Sequence, residues 1–264
     1  MKIIFLTGSH TRHAYMARCF AQSGYLAGLV IEERESSLPE PPEGLKHDTK
    51  QLFIKHFKER LLAEEKFFTN TLLPDVPLFN TTIDKLNSDA TLSFINKLSP
   101  DIIVSYGVHK LSSALLANIT ALCKWNIHGG LSPWYRGVTT HFWPSYFLEP
   151  QMTGMTMHQL TDDIDGGGII HQTAAELVRG DGIHDLSCRA VISLGQNIPA
   201  LFDKIASSNN IQTKEQTTTG RIWRSKDWRP EHLHLVYDYY ENRIVDHYLN
   251  GLFANYNAEL FTQI

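Results

Sequence analysis

The chain is short of the residues that mark several protein classes. Cysteine occurs three times, at Cys19, Cys123 and Cys188, an odd count without a C-x-x-C pair. A disulfide scaffold and a structural zinc are therefore not expected, and a reduced, cytoplasmic compartment fits best. No window approaches about 18 continuous apolar residues, so no membrane-spanning helix is expected. The opening stretch, MKIIFLTGSHTRH, has too short an apolar run for a leader and no small-residue cleavage site after it. No long basic block occurs, and the formal net charge is -4 at pH 7. A nucleic-acid partner is therefore not expected. H-E-x-x-H is absent, and His109, His171 and His184 lack ligand spacing, so no catalytic metal is expected. Internal repeats and low-complexity tracts are absent too.

What remains is an ordinary globular composition. The 264 residues are 42% hydrophobic, enough for a core without covalent staples. The length suits one large domain, or one domain with a small appendix. Residues 1–207 are expected to form the main domain. Residues 208–264 are expected to form a linker and a small helical extension.

Hydrophobic periodicity gives the elements. Lys2–Thr7 reads as a buried strand, Thr11–Ser23 as a helix stopped by Gly24, and Tyr25–Ile31 as a second strand. That βαβ start predicts an α/β fold, a doubly wound and mostly parallel sheet of Rossmann-like type. Glu32–Gly44 is a Pro- and Glu-rich loop. Gln51–Phe68 reads as a charged helix, within an insertion, Lys46–Phe68, that covers the sheet or serves a dimer; Val76–Asn80 reads as a strand and Asp84–Leu98 as a helix. Asp101–Tyr106 is a clear buried strand, followed by a helix at Leu111–Asn118 and a strand at Leu122–Ile127. Thr139–Leu148 is predicted as a helix, Gly154–Leu160 and Ile169–Leu177 as strands, and Ile183–Ser207 as a long helix. Ser208–Gly220 reads as a polar linker, Arg221–Trp223 as a short strand and Pro230–Asn250 as a final helix.

The segment WNIHGGLSPWYRG, Trp125–Gly137, leaves the carboxyl end of a strand, where open α/β sheets bind ligands. Side chains repeat every two residues along a strand, so Asn126 and His128 share one side. A histidine passes protons near neutrality, an amide donates to a growing oxyanion, and a carboxylate such as Asp165 orients the imidazole. This trio suits acyl transfer to an amine. The residues alone leave open a second reading, a buried polar pair that satisfies loop backbone. Gly8–His13 (GSHTRH) joins the first strand to its helix. Its backbone N–H groups, with Arg12, suit an anion, or the loop is an ordinary helix start capped by Thr11. Phe142, Trp143 and Tyr146 fall at helical spacing and read as core, whereas Trp134 and Tyr135 sit in the loop.

Four linked motifs, NIH (Asn126–His128), GLSPWYRG (Gly130–Gly137), TGMTMH (Thr153–His158) and DGGGII (Asp165–Ile170), resemble the core of the 10-formyltetrahydrofolate-dependent formyltransferases. PDIIVSYG (Pro100–Gly107) resembles that family's strand before its folate loop. The family includes glycinamide ribonucleotide transformylase, methionyl-tRNA formyltransferase and sugar-nucleotide N-formyltransferases. The resemblance implies the formyltransferase fold, with 10-formyltetrahydrofolate as co-substrate and formyl transfer to a primary amine. By position, Asn126 would stabilise the oxyanion and His128 would shuttle the amine proton, aided by Asp165. The pterin contacts would come from Tyr106, Gly107, Val108 and Lys110, and from Asp162, Asp163 and Ile164. Gly8, Ser9 and Arg12 would meet the acceptor. Arg136 would either bind an acceptor anion or merely support the loop, and His141 would either face the acceptor or simply start a helix. His158 is expected to pack or bond within its strand. Two departures stand out: Gly130 and Ser132 replace the family's usual Ser and Leu, and Val108-His109-Lys110 is more polar than usual.

The resemblance also ranks the acceptors. The short, non-basic stretch after the linker argues against tRNA. The first loop is less glycine-rich than that of a glycinamide ribonucleotide transformylase. The start at the first strand argues against a 10-formyltetrahydrofolate hydrolase with its regulatory domain. An amino sugar nucleotide is the leading small-molecule acceptor, a non-catalytic folate-binding module is the contrasting reading, and a homo-oligomer is left open.

Overall fold

The computed structural model describes residues 1–208, 211–217 and 220–264. The expected linker, Ser208–Gly220, therefore lies partly outside the described residues. Seven strands form the central sheet in the order β3-β2-β1-β4-β5-β7-β8. They are β1 (Ile3–Gly8), β2 (Leu26–Glu32), β3 (Leu78–Thr81), β4 (Ile102–Tyr106), β5 (Cys123–His128), β7 (Gly154–Gln159) and β8 (Ile169–Ala174). The first five run parallel, whereas β7 is antiparallel to both β5 and β8. The order reverses between β1 and β4, which makes the crevice beyond their carboxyl ends the place for a ligand.

Both faces of the sheet are covered, so its inner strands read as unbroken apolar runs. In β1, Ile3 and Phe5 join the core under α1 (Thr11–Gln22) and α6 (Ile183–Ser207), where Phe20, Leu194 and Phe202 are fully buried. Ile4 and Leu6, pointing the other way, join Ile95 of α3 (Asp89–Lys97) and Leu115 of α4 (Ser113–Asn118). A third cluster ties the last stretch of chain to the rest. Trp223 of β9 (Arg221–Trp223), Val236 and Ile244 pack with Phe53, Phe142 and Trp143. The Trp143 and Trp223 rings stack with centroids 4.0 Å apart. β9 also pairs in parallel with β6 (Tyr135–Gly137).

Four expected helices differ. α3 begins at Asp89 rather than Asp84, because Ser88 Oγ accepts the Thr91 N–H and caps it there. α2 (His47–Phe67) begins four residues earlier than its apolar pattern suggests, because its first turn is polar. Of Thr139–Leu148, only α5 (Trp143–Tyr146) is regular helix. Thr139 (φ 59) and Leu148 (φ 63) adopt left-handed backbone that helix cannot include. Pro230–Asn250 is broken at Glu241 (φ 51) and Asn242 (φ 55), and α7 (Ile244–Leu249) starts afresh. The break has a use, since Asn242 Oδ1 accepts the Ile183 N–H at 2.9 Å and so closes the first turn of α6. At α1, the residue before the first turn is His10 rather than Thr11. Its N–H donates to His13 Nδ1 at 3.2 Å.

Candidate active site

The register of three strands assembles the polar centre. In β4–β5, Ser105 lies beside Asn126, and in β5–β7, Asn126 lies opposite His158. Ser105 Oγ donates to Asn126 Oδ1 at 2.8 Å, which fixes the amide. His158 Nδ1 lies 2.8 Å from the Gln159 carbonyl, so it carries the ring proton and leaves Nε2 as an acceptor. Asn126 Nδ2 donates to that Nε2 at 3.2 Å, and one amide hydrogen remains for a ligand. His158 is thus a site residue that the strand pattern alone does not reveal. Only its register partner gives it away.

His128 comes two residues after Asn126 and is buried. Its Nε2–H donates to the Tyr135 carbonyl at 2.8 Å, and its Nδ1 lies 3.3 Å from Asp165 Oδ2. Burial pushes the imidazole below its ordinary pKa, while the Asp165 carboxylate pulls it back up. The neutral ring has its one proton on Nε2. The next proton enters at Nδ1, where the carboxylate waits.

Asp165 sits in left-handed backbone (φ 46), which Asp tolerates better than most residues. Its Oδ2 accepts the Gly137 N–H at 2.8 Å, and its Oδ1 lies 3.4 Å from His158 Nε2. Burial opposes its charge, but the charge of His128 and the Gly137 N–H outweigh burial and hold the carboxyl below the usual range. Gln216 Nε2 donates to the Asp165 carbonyl at 2.7 Å. β9 in turn braces Gly137, whose φ of 94° and contact with the Trp223 carbonyl leave no room for a side chain.

The loop between β5 and β6 is held from β7 and β8. Thr156 Oγ1 donates to the Gly130 carbonyl at 2.7 Å and accepts the Ser132 N–H at 3.0 Å. Gln172 Nε2 donates to the Ser132 carbonyl at 2.6 Å, and its Oε1 accepts the Phe261 N–H at 3.1 Å. A side chain at Gly130 would meet both His128 Nε2 and the Tyr135 carbonyl at 2.6 Å, so the glycine that departs from the family pattern makes room for their hydrogen bond.

A cavity of ≈ 600 Å³ opens on this centre. Asn126, His128 and Asp165 line it, as do Tyr106, Gly107, Val108, Arg12 and His141. His141 is buried, gives its Nε2–H to the Gly154 carbonyl at 3.1 Å, and has a pKa pushed down by burial to about 4. Other candidates stand away from the cavity walls. Gly8 packs under His13 and Arg34, and Ser9 Oγ accepts the Arg34 N–H at 2.9 Å. Arg136 Nε donates to the Ile164 carbonyl at 2.9 Å, which makes it a brace for the Asp165 loop. The Lys110 carbonyl is held by Asn87 at 3.1 Å, Asp162 accepts from Ser113 at 3.1 Å, and Asp163 and Ile164 lie on an exposed turn. The polar Val108-His109-Lys110 departure is matched by Glu32, fully buried, whose Oε2 accepts the His109 N–H at 2.8 Å.

The charged helix at Gln51–Phe68 is not a mere outer cover. As α2 it supplies His56, Phe57, Arg60 and Glu64 to the cavity wall. Trp228 comes from the last stretch of the chain. Spacing hinted at none of these, because their place depends on how α2 packs. Among the described residues, no helix is long and apolar enough to cross a membrane, and no three His, Cys, Asp or Glu side chains gather to hold a metal ion.

The comparisons with known proteins agree with this architecture. Over 135 residues the chain is 29% identical to the bifunctional polymyxin resistance protein ArnA of Wigglesworthia glossinidia brevipalpis, covering 51% of this chain and 19% of that one. Over 141 residues it is 27% identical to the methionyl-tRNA formyltransferase of Buchnera aphidicola subsp. Baizongia pistaciae, covering 51% and 43%. The match thus spans less than half of either relative. In three dimensions it resembles a sugar N-formyltransferase from Shewanella sp FDAARGOS_354, with a TM-score of 0.56 at 14% identity over 89% of this chain and 87% of that one. The model of the formyl transferase family matches residues 56–198, over half the chain and the whole of the β4-to-β8 centre just described. The chain belongs to the formyl transferase family.

Proposed function

We propose that this protein moves a formyl group from 10-formyltetrahydrofolate to a primary amine of a small molecule, an amino sugar nucleotide being the leading class. The observation that carries the reading is the convergence of Asn126, His128 and Asp165 on one cavity. The remaining Asn126 Nδ2–H stabilises the negative charge that builds on the formyl oxygen. His128 accepts the proton of the attacking amine at Nδ1, and Asp165 stabilises the imidazolium that results; His128 then returns that proton to the donor nitrogen as its bond to the formyl carbon breaks and tetrahydrofolate leaves. Tyr106, Gly107 and Val108 border the same cavity beside Asn126 and fit the donor's ring, which supplies the activated one-carbon unit when bound. Lys110, Asp162, Asp163 and Ile164 fit it less well. The domain boundary near residue 207 belongs to this proposal too, with Trp228 lent to the site from beyond it.

The test is a calorimetric titration of 5-formyltetrahydrofolate, a stable relative of the donor, into wild type and Asn126→Ala. A screen of amino-sugar nucleotides for formylated product follows. Saturable binding at one site and a formylated amine are expected. A folded wild type that binds no 5-formyltetrahydrofolate overturns the reading.

A further inference from the structure

Away from the Asn126–His128–Asp165 centre, the cavity wall has hydrogen-bond donors in excess. Arg12 is spoken for, since its Nη1 pairs with Glu64 Oε1 at 2.6 Å. Thr11 Oγ1 donates to the other Glu64 oxygen at 3.2 Å. Arg60 has no carboxylate within salt-bridge distance among the described residues. One nitrogen donates to the Ser37 carbonyl at 2.9 Å, and its Nε is buried without a partner. His13 is 1% exposed, and its Nδ1 accepts the His10 N–H, so the neutral ring must carry its proton on Nε2. That Nε2 is buried without a partner. Trp228 Nε1, a donor and nothing else, is likewise buried without a partner. Arg60, His13 and Trp228 all line the ≈ 600 Å³ cavity.

Leaving a buried donor unpaired costs free energy, and here three residues that line one cavity each carry such a donor. Glu64, the carboxylate on this part of the wall, is already engaged by Arg12 and Thr11. With Arg12 balanced by Glu64, Arg60 leaves the wall one positive charge in excess. The complement is a ligand group with several acceptor oxygens and negative charge. We propose that the part of the cavity walled by α2, His13 and Trp228 is an oxyanion subsite that holds a phosphate ester of the acceptor. This assignment to the acceptor rests on the formyl-transfer reading of the neighbouring centre. A phosphate uses more donors than a carboxylate does, and a guanidinium matches it with two parallel bonds. The carboxylate tail of a folate donor shares the chemistry, so the test separates the two sources.

Inorganic pyrophosphate is titrated by calorimetry into wild type, with and without saturating 5-formyltetrahydrofolate. The same titrations are run on Arg60→Gln, Arg60→Lys, Trp228→Phe and Lys58→Gln, the last removing an exposed charge from the same helix. Expected are one pyrophosphate site in wild type that survives saturation with the folate, about tenfold weaker binding in Arg60→Gln, and partial recovery in Arg60→Lys. Trp228→Phe weakens it less, and Lys58→Gln matches wild type. Folate affinity stays unchanged in Arg60→Gln. Equal pyrophosphate affinity in wild type and Arg60→Gln overturns the subsite. Displacement of pyrophosphate by the folate, with both affinities lowered in Arg60→Gln, overturns the acceptor assignment in favour of the donor's carboxylate. Pyrophosphate binding without any folate binding sinks the formyl-transfer reading, and the acceptor assignment with it, while the oxyanion subsite stands.

Discussion

Replacing Asp165 by Asn tests the electrostatics of the centre without touching its shape. Asn is isosteric, tolerates the left-handed backbone, and still accepts the Gly137 N–H through its carbonyl oxygen. What disappears is a negative charge 3.3 Å from His128 Nδ1. At that distance two unit charges interact by about 1.3 kcal/mol in a water-like dielectric and by about 5 kcal/mol at an effective value near 20. One unit of pH is worth about 1.4 kcal/mol, so the His128 pKa should fall by roughly 1 to 3.5 on the pH scale. The sign follows from the loss of an anion that favours the cation. The assay is an NMR titration of the histidine ring signals in both proteins, with His128 assigned through His128→Gln. A His128 midpoint that stays put or rises in Asp165→Asn would refute the coupling. Stability carries a second sign. The Asp165 carboxyl is held below its ordinary range, so its contribution is present above the unfolded carboxylate pKa and is lost as pH falls through the folded one. Wild type should therefore exceed Asp165→Asn in Tm at neutral pH, with the gap closing in acid.

Other outcomes follow from single contacts. Gly130→Ala places a methyl 2.6 Å from both His128 Nε2 and the Tyr135 carbonyl, so it should cost about 1–3 kcal/mol of stability and most of the activity. Denaturant unfolding and turnover check it. Ser105→Ala frees the Asn126 amide, and kcat should drop by about tenfold with little change in Tm. Trp223→Ala removes a buried ring stacked on Trp143 and should cost about 3–5 kcal/mol, measured by urea unfolding. Burial lowers the pKa of His184 to about 3 and of His171 to about 4. The unfolded chain binds those protons first, so stability should be full above about pH 6.5 and decline below it, by up to about 1.4 kcal/mol per histidine for each unit of pH. A Tm that is flat between neutral pH and pH 5 counts against that.

The sheet was legible because its inner strands are apolar without interruption, and only a sheet covered on both faces asks for that. Asn126 and His128 were legible as partners for the same geometric reason that separates strand faces. His158 was not, because it reaches Asn126 through antiparallel register between β5 and β7, which no local pattern encodes. The wall built by Arg60 and Trp228 was hidden for a related reason. The pattern of α2 shows that the helix has a wet face but not that this face borders a cavity. Thr139 and Asn242 broke two expected helices through left-handed backbone that propensity does not report. Arg136 stayed open between an anion and the loop, because a loop arginine looks alike whether it meets a ligand or a carbonyl.

The brace at Gly137 has a consequence for how the protein comes to life in the cell. β1 to β8 and the polar centre are encoded before residue 175, yet the N–H that anchors the Asp165 carboxylate belongs to a strand steadied by residues 221–223. Those residues leave a ribosome after the whole sheet has been made, and domains begin folding from the N-terminal side as they emerge. The nascent chain can therefore assemble its sheet while the Asp165 carboxylate is still without its anchor. The anchor is complete only with β9, so a strand made after the sheet sets when the Asn126–His128–Asp165 centre takes its final shape.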